Sequence, residues 1–312
     1  QVLTAVQEEE IVGMIHLNPY RVQVQKSAWD LHYIVGVATL EKCRRQGVMR
    51  KMLLRCMEDM ARKGEPFTYL MPADQAYYEP FDFVFVQKFN TVACVGEVKK
   101  SQLKVLEKED FSRAEIFLRE FLKQNFCVYT QMDAAYLMQL QAECRSERGE
   151  ILVLEEKGEI CGFCCYGQDE KVYVRQIFGT DPKKLKEEIL CYFPQREVVF
   201  TFAQGEEQNG ASIMARILRL DLLMEEITGE EETSFVLTVR DDFCRWQNGT
   251  FRFMVGKDGG KIERTQQEAA QTITIRDLTK LIFGFEEEAL REEYPQFQSL
   301  KSLAPVMIGE II

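Results

Sequence analysis

The sequence predicts an α/β fold with mixed α+β sheets, assembled from more than one unit, and three observations carry that expectation. At 312 residues the chain exceeds what one core comfortably fills, so two or three units of about 100 to 150 residues are expected. Strand-like runs alternate with amphipathic helical runs. Two segments also repeat one another. Leu3 to Leu17 (LTAVQEEEIVGMIHL) and Leu152 to Tyr166 (LVLEEKGEICGFCCY) both read as strand, acidic turn, Glu-Ile-(Val/Cys)-Gly and second strand, as two copies of one fold would.

The first unit, residues 1–98, opens with that hairpin and continues with a strand from His32 to Leu40. In Val48 to Lys63 the apolar positions 48, 49, 52, 53, 56, 57 and 60 predict a helix with one buried face. Gly64 closes it and Pro66 prevents a restart, after which Phe67 to Met71 reads as a strand. A short helix carrying Tyr77 and Tyr78 leads to a strand from Phe83 to Val86. The second unit, 99–210, has helical patterns at Phe111 to Gln124 and Ala134 to Arg145, the repeated hairpin, and a strand from Val172 to Phe178. Thr180 and Asp181 offer an N-cap with Pro182 behind them, predicting a helix over Lys183 to Phe193, then a strand over Val198 to Phe202 and a polar linker over Gln204 to Gly210. The third unit, 211–312, is expected to hold a helix over Ser212 to Glu225, strands near Phe235 to Arg240 and Thr250 to Val255, and helices near Ile275 to Phe283 and Glu286 to Glu293.

Composition narrows the function. No apolar run approaches the roughly 18 residues that cross a bilayer, so no membrane segment is expected. The opening residues read as strand, charged turn and strand rather than as an export signal. Ten cysteines without such a signal imply free thiols in a reducing compartment, by default the cytoplasm. Cys161, Cys164 and Cys165 resemble half of a zinc site, but the only histidines are His16 and His32; buried strand cysteines are the commoner explanation, and no metal is expected. A net charge of -11 argues against nucleic acid and suits a cationic small molecule.

The sharpest chemical signal is VGVATLEKCRRQGVMRKMLLRCMEDMARKG, Val35 to Gly64. A strand enters a turn with two arginines and a glycine, and the turn enters an amphipathic helix. Free N–H groups at a helix start, together with the helix dipole, favour an anion. Gly47 lets the backbone approach a phosphate and Arg44 and Arg45 add charge, which makes a pyrophosphate cradle. A charged helix start on a solvated surface is the plain alternative for the turn taken alone.

Strand, turn and helix in this order resemble motif A of the GNAT superfamily of N-acetyltransferases, (Arg/Gln)-x-x-Gly-x-(Gly/Ala), standing here as Arg44-Arg45-Gln46-Gly47-Val48-Met49 with Met49 in place of the last small residue. TYLMPADQAYYEPFDFVFV matches the elements that follow motif A, and FVLTVRDDFCRWQNGTFRFMV with TITIRDLTKLIFG resembles a sterol-carrier-like domain. The whole chain is most similar to the Eis (enhanced intracellular survival) group, in which two GNAT-type domains precede a sterol-carrier-like domain. That resemblance implies acetyl-CoA as co-substrate, held along Val37, Ala38 and Thr39 and by Arg44, Arg45, Gln46, Gly47, Val48 and Met49. It implies a small amine as acceptor, aminoglycoside-like or polyamine-like, and a homo-oligomer, a hexamer in the group.

The family's proton donor to the departing thiolate falls on Tyr78, with Tyr77 as the neighbouring alternative. A phenol of pKa about 10 is nearly matched to a thiol near 8.5. Asp82 replaces the usual glycine and tolerates a left-handed conformation. The group's terminal carboxylate, which helps take the amine proton, would be that of Ile312; Glu310, or simple burial of Ile311 and Ile312, are the alternatives. The strand-to-helix joint of the second unit, QIFGTDPKKLKEE, places Asp181 against any diphosphate, so no donor site is expected there. GNAT domains begin with a strand and two helices that this sequence does not show. The rival function is a non-catalytic CoA sensor or an apolar-ligand carrier using the third unit.

Overall fold

The computed structural model describes residues 1–203 and 212–308. The chain opens with β1 (Val2–Gln7), β2 (Glu10–Val24), β3 (Ser27–Thr39), α1 (Val48–Arg62), β4 (Phe67–Leu70) and β5 (Val84–Lys88). Next come β6 (Asn90–Val95), β7 (Lys104–Val105), α2 (Phe111–Asn125), β8 (Val128–Thr130), α3 (Ala134–Ser146), β9 (Glu150–Glu156), β10 (Glu159–Gln168), β11 (Val172–Gly179), α4 (Pro182–Tyr192) and β12 (Glu197–Phe202). The remainder holds β13 (Ser212–Ile217), α5 (Leu220–Met224), β14 (Thr233–Arg240), β15 (Gly249–Gly256), β16 (Gly259–Arg264), β17 (Thr272–Thr274), α6 (Ile275–Phe283), α7 (Glu288–Glu293) and β18 (Val306–Met307). None of the described helices is long and apolar enough to cross a membrane.

Contacts divide the chain into two compact units. The first takes Gln1–Gln87, Cys127–Thr130 and, among the described residues, 212–308. Its main sheet is eight-stranded, in the order β18-β8-β2-β3-β4-β13-β5 with β1 beside β2, and a four-stranded sheet, β16-β15-β14-β17, accompanies it. The second unit is built on a six-stranded sheet, β6-β12-β11-β10-β9-β7. Its core joins Leu152, Leu154 and Cys164 of the hairpin to Leu185 and Ile189 of α4 and to Val198 and Phe200 of β12.

The apolar period of α1 is realised as expected: Met52, Leu53, Cys56, Met57 and Met60 are buried along one face. Asp181 caps α4 by accepting from the Lys184 N–H at 3.0 Å, and Pro182 follows as the first helical residue. The expected helix over Ser212 to Glu225 is corrected by the structure. Ser212–Ile217 is strand β13, paired antiparallel with β4 from Met214↔Leu70 to Ile217↔Phe67, and only Leu220–Met224 is helical. Ile213, Met214, Ala215 and Ile217 are all buried, so the run is apolar on both faces and carries no two-residue alternation to separate it from a helix. The Gln204 to Gly210 linker lies outside the described residues.

The repeated segments fold alike in register. In the first unit Gly13 pairs with Thr39, Met14 with Ala38 and His16 with Val35, leaving Gly36 and Val37 opposite Ile15 as a bulge with Gly36 at φ 60. In the second, Gly162 pairs with Gly179, Phe163 with Phe178 and Cys165 with Arg175, leaving Gln176, at φ 49, and Ile177 opposite Cys164. The shared Glu-Ile-x-Gly has a packing cause. A Cβ on Gly13 would lie 2.7 Å from the Met52 Cε of α1, and one on Gly162 would lie 2.9 Å from the Leu185 Cδ1 of α4. Each glycine lets its helix close onto the hairpin. Cys164 and Cys165 are buried within β10, and Cys161 Sγ donates to the Leu154 carbonyl at 3.5 Å. Among the described residues no cluster of three or more His, Cys, Asp or Glu side chains could hold a metal.

Candidate active site

The turn after β3 sets up the start of α1. Arg45 (φ 60) and Gly47 (φ 80, ψ 10) both take the left-handed conformation, and Gly47 serves as N-cap. No side chain caps the helix and its first turn carries no acid, so its leading N–H groups and dipole meet no carboxylate from within the helix. A Cβ placed on Gly47 would meet nothing within 4 Å, so the space before the helix is open. Arg44, Arg45 and Gln46 are exposed around it, with Arg44 Nε 3.4 Å from the Thr39 carbonyl and Gln46 Nε2 donating to the Lys42 carbonyl at 2.8 Å. Val48 and Met49 are half-buried at the first helical positions. An open, cationic, uncapped helix start is an anion receptor.

Beside it the sheet splits. β3 and β4 are parallel partners only at Tyr33↔Tyr69 and Ile34↔Leu70, although β3 continues to Thr39 in pairing with β2. From Val37 through Ala38 to Thr39 no described strand pairs with the edge of β3 that faces β4. Ala38 is exposed and Val37 and Thr39 are half-buried there. Such an edge offers backbone donors and acceptors to an extended ligand, as a sheet edge does to an added strand.

Tyr78 stands between two short 3₁₀ turns, Gln75–Tyr77 and Glu79–Phe81. Asp74 caps the first by accepting from the Ala76 N–H at 2.9 Å, and the Tyr78 carbonyl accepts from the Phe81 N–H at 2.9 Å. Its ring packs edge-on to Phe83, centroids 6.0 Å apart, and is 8% exposed, whereas Tyr77 is 58% exposed. Burial pushes the Tyr78 phenol above its ordinary pKa, so the protonated form is favoured. Among the described residues its hydroxyl has no hydrogen-bond partner. Asp82, at φ 62 and ψ 21, takes the left-handed conformation expected of a glycine substitute. Burial raises its pKa, against the lowering influence of Arg216.

What fixes this turn is a residue that the sequence reading passed over. Arg216 of β13 is completely buried, and its guanidinium donates from Nε to the Phe81 carbonyl at 2.7 Å, from Nη1 to the Ile217 carbonyl at 2.9 Å and from Nη2 to Asp241 Oδ1 at 2.7 Å. Asp241, after β14, also accepts from the Phe243 and Cys244 N–H groups and from Gln247 Nε2. Burial alone would lower the Arg216 pKa, but Cys244 and Asp241 outweigh it and the charge is held. Phe243 completes the brace: Phe81 packs on its ring at 5.7 Å, and Arg50, from the first turn of α1, lies 5.1 Å above it. One aromatic ring therefore touches both the tyrosine turn and the first turn of α1. A lone arginine within the apolar run Ile213 to Leu218 was the available signal, since arginine is almost never fully buried without a partner.

The approach to Ile312 is described as far as Ile308. β18 pairs parallel with β8 through Val306↔Val128 and Met307↔Tyr129, and the buried Ile308 N–H donates to Gln87 Oε1 at 3.2 Å. Ile312 and Glu310 themselves lie outside the described residues.

Residues 1–86 match the acetyltransferase (GNAT) domain family and residues 221–293 the sterol carrier protein domain family. No curated protein has a significantly similar sequence. The fold resembles a GCN5-related N-acetyltransferase from Kribbella flavida (TM-score 0.79, 14% identity, covering 99% of this chain and 88% of that one). It also resembles a GCN5-related N-acetyltransferase from Anabaena variabilis ATCC 29413 (0.77, 13%, 96% and 84%) and Eis1 from Mycobacterium abscessus (0.68, 12%, 97% and 84%). The chain carries a GNAT acetyltransferase domain and a sterol-carrier-like domain, and it is an acyltransferase.

Removing one member of a buried ion pair strands the other, at a typical cost of about 3–5 kcal/mol. Arg216→Met is therefore expected to lower the urea midpoint by an amount in that range, with Arg216→Met/Asp241→Asn recovering part of the loss. Equal destabilisation of both variants would show that the pair is not the source.

Proposed function

We propose that this chain transfers the acetyl group of acetyl-CoA to a primary amine of a small cationic acceptor, aminoglycoside-like or polyamine-like, in a ternary complex. The observation that carries the reading is the open, uncapped, acid-free start of α1 beside the unpaired edge of β3. Arg44, Arg45, Gln46 and the backbone of Gly47, Val48 and Met49 would hold the diphosphate, and the edge at Val37, Ala38 and Thr39 the pantetheine arm. The Val37 N–H would polarise the thioester carbonyl. The amine nitrogen then attacks that carbon, the C–S bond breaks, and the Tyr78 hydroxyl gives its proton to the departing thiolate. The proton lost by the new amide goes to water or to the Ile312 carboxylate. The net charge of -11 supports a cationic acceptor. Homo-oligomeric assembly, a reducing cytoplasmic setting and membership of the Eis group belong to the same proposal. So does a modular division at 1–98, 99–210 and 211–312, in which the middle module repeats the first without its cradle.

Calorimetry with acetyl-CoA tests the donor assignment. One site per chain is expected, abolished by Gly47→Glu because a carboxylate would stand where the phosphate belongs. Two sites, or undiminished binding in that variant, would refute it.

Tyr78→Phe is expected to lower kcat about 100-fold with little change in acetyl-CoA affinity, the usual scale for a lost general acid. Because burial raises the Tyr78 pKa, the phenol stays protonated further into the alkaline range than an exposed tyrosine, and wild-type kcat should hold its plateau there before falling. Loss in Tyr77→Phe instead of Tyr78→Phe would move the role to the exposed neighbour.

Adding a few glycines after Ile312 should cut turnover sharply while leaving the melting temperature unchanged. Wild-type turnover in the extended chain would remove the terminal carboxylate from the mechanism and leave acetyl transfer standing.

A further inference from the structure

The second unit keeps the split sheet and loses the cradle. β11 and β12 are parallel partners from Val172↔Val198 to Val174↔Phe200, and there the pairing stops. β11 runs on to Gly179 beside β10, and β12 runs on to Phe202 beside β6. In the shared register Val174 corresponds to Ile34 and Phe200 to Leu70, so the two sheets part at equivalent residues. The wedge is a cavity of about 500 Å³, within the range of small-molecule sites.

Its walls are predominantly apolar. Phe121 from α2, Ile177 and Phe178 from β11, Leu185 from α4 and Phe202 from β12 line it. Two of the three polar side chains at its margin are already engaged as donors, Asn125 Nδ2 to the Phe121 carbonyl at 2.7 Å and Thr180 Oγ1 to the Cys161 carbonyl at 3.3 Å, and the third, Gln124, is exposed. Phe121, Ile177 and Phe202 are only partly buried, so the cavity leaves apolar surface that a ligand of matching character would cover.

The helix beside the wedge turns anions away. Where α1 has an open glycine, α4 has Asp181, whose carboxylate occupies the helix start and accepts from the Lys184 N–H, and Pro182, which supplies no N–H. The Lys184 ammonium is itself paired with Glu156, which leaves the exposed Lys183 as the cation of this helix start, against the Asp181 carboxylate. A diphosphate would meet a carboxylate where the first unit offers free N–H groups.

We propose that the second unit binds an uncharged, largely apolar small molecule in the wedge between β11 and β12. The site is a second ligand position on the chain, separate in residues and in chemistry from the acetyl-CoA cleft. Binding would bury the exposed aromatic faces and needs no cation.

The test uses the full chain and the uncharged fluorophore N-phenyl-1-naphthylamine. Wild type should show a saturable site, and Thr180→Trp and Ile177→Trp, which fill the wedge from its margin and its floor, should each weaken that site about tenfold or more with unchanged far-UV circular dichroism. Thr180 is exposed, so its variant carries the test even where Ile177→Trp disturbs the core. The anionic relative 1-anilinonaphthalene-8-sulfonate should bind the wild-type site at least about tenfold more weakly than the uncharged probe. No saturable binding in wild type, equal binding in Thr180→Trp, or equal affinity for the anionic probe would each overturn the proposal.

Discussion

The first unit depends on one buried charge. Arg216 is placed by β13 in the interior, with none of its surface exposed, and an unpaired guanidinium there would cost several kcal/mol. Asp241 cancels the charge, three further N–H groups go to the Phe81 and Ile217 carbonyls and to Cys244 Sγ, and Asp82 Oδ2 lies 3.7 Å from Nη2. These partners come from a sheet strand, the tyrosine turn and the loop after β14, so satisfying one side chain fixes three segments at once. The network links the sterol-carrier-like domain to the turn that carries Tyr78, and it gives that domain a structural part in holding the turn independent of any ligand of its own.

The two split sheets show what is general in this architecture and what is particular. A bulge in the third strand of each hairpin sheet and an early end to parallel pairing open a wedge in both, whatever the sequence beside it. Chemistry is then assigned by the helix start. Gly47, with arginines before it, leaves one helix start open and cationic; Asp181 and Pro182 close the other. Few residues separate the two outcomes, because a helix dipole is fixed by the backbone and only its cap decides what may approach.

Much of this was legible in the sequence. Helix α1, the repeated hairpin, the cap of α4 and the strands β14 and β15 follow from period, capping and turn chemistry, which act within a few residues. The left-handed Asp82 was legible for the same reason: its conformation is set locally. β13 was not, because a strand buried on both faces has no polar side to mark its period, and methionine, alanine and arginine are good helix formers. The partnership of Arg216 with Asp241 was hidden differently. Each residue is ordinary in its own segment, and only the pairing of β13 with β4 brings them together. Phe243 belongs with them, since an aromatic beside two aspartates announces nothing until Arg50 and Phe81 are seen on its ring.

The order of strands in the main sheet bears on how the chain acquires its shape. β2 and β3 are made early, yet their sheet is completed by β8, by β13 and by β18, which are encoded near residues 128, 212 and 306. The tyrosine turn likewise waits for Arg216. A nascent chain emerging vectorially from the ribosome therefore carries the hairpin and α1 with open sheet edges until distant strands arrive, the situation in which contact order is high and folding slow. By contrast β9, β10, β11, α4 and β12 are contiguous and can close on one another as they appear. Biogenesis would then depart from reading order, with the middle of the polypeptide settling first and the first unit last.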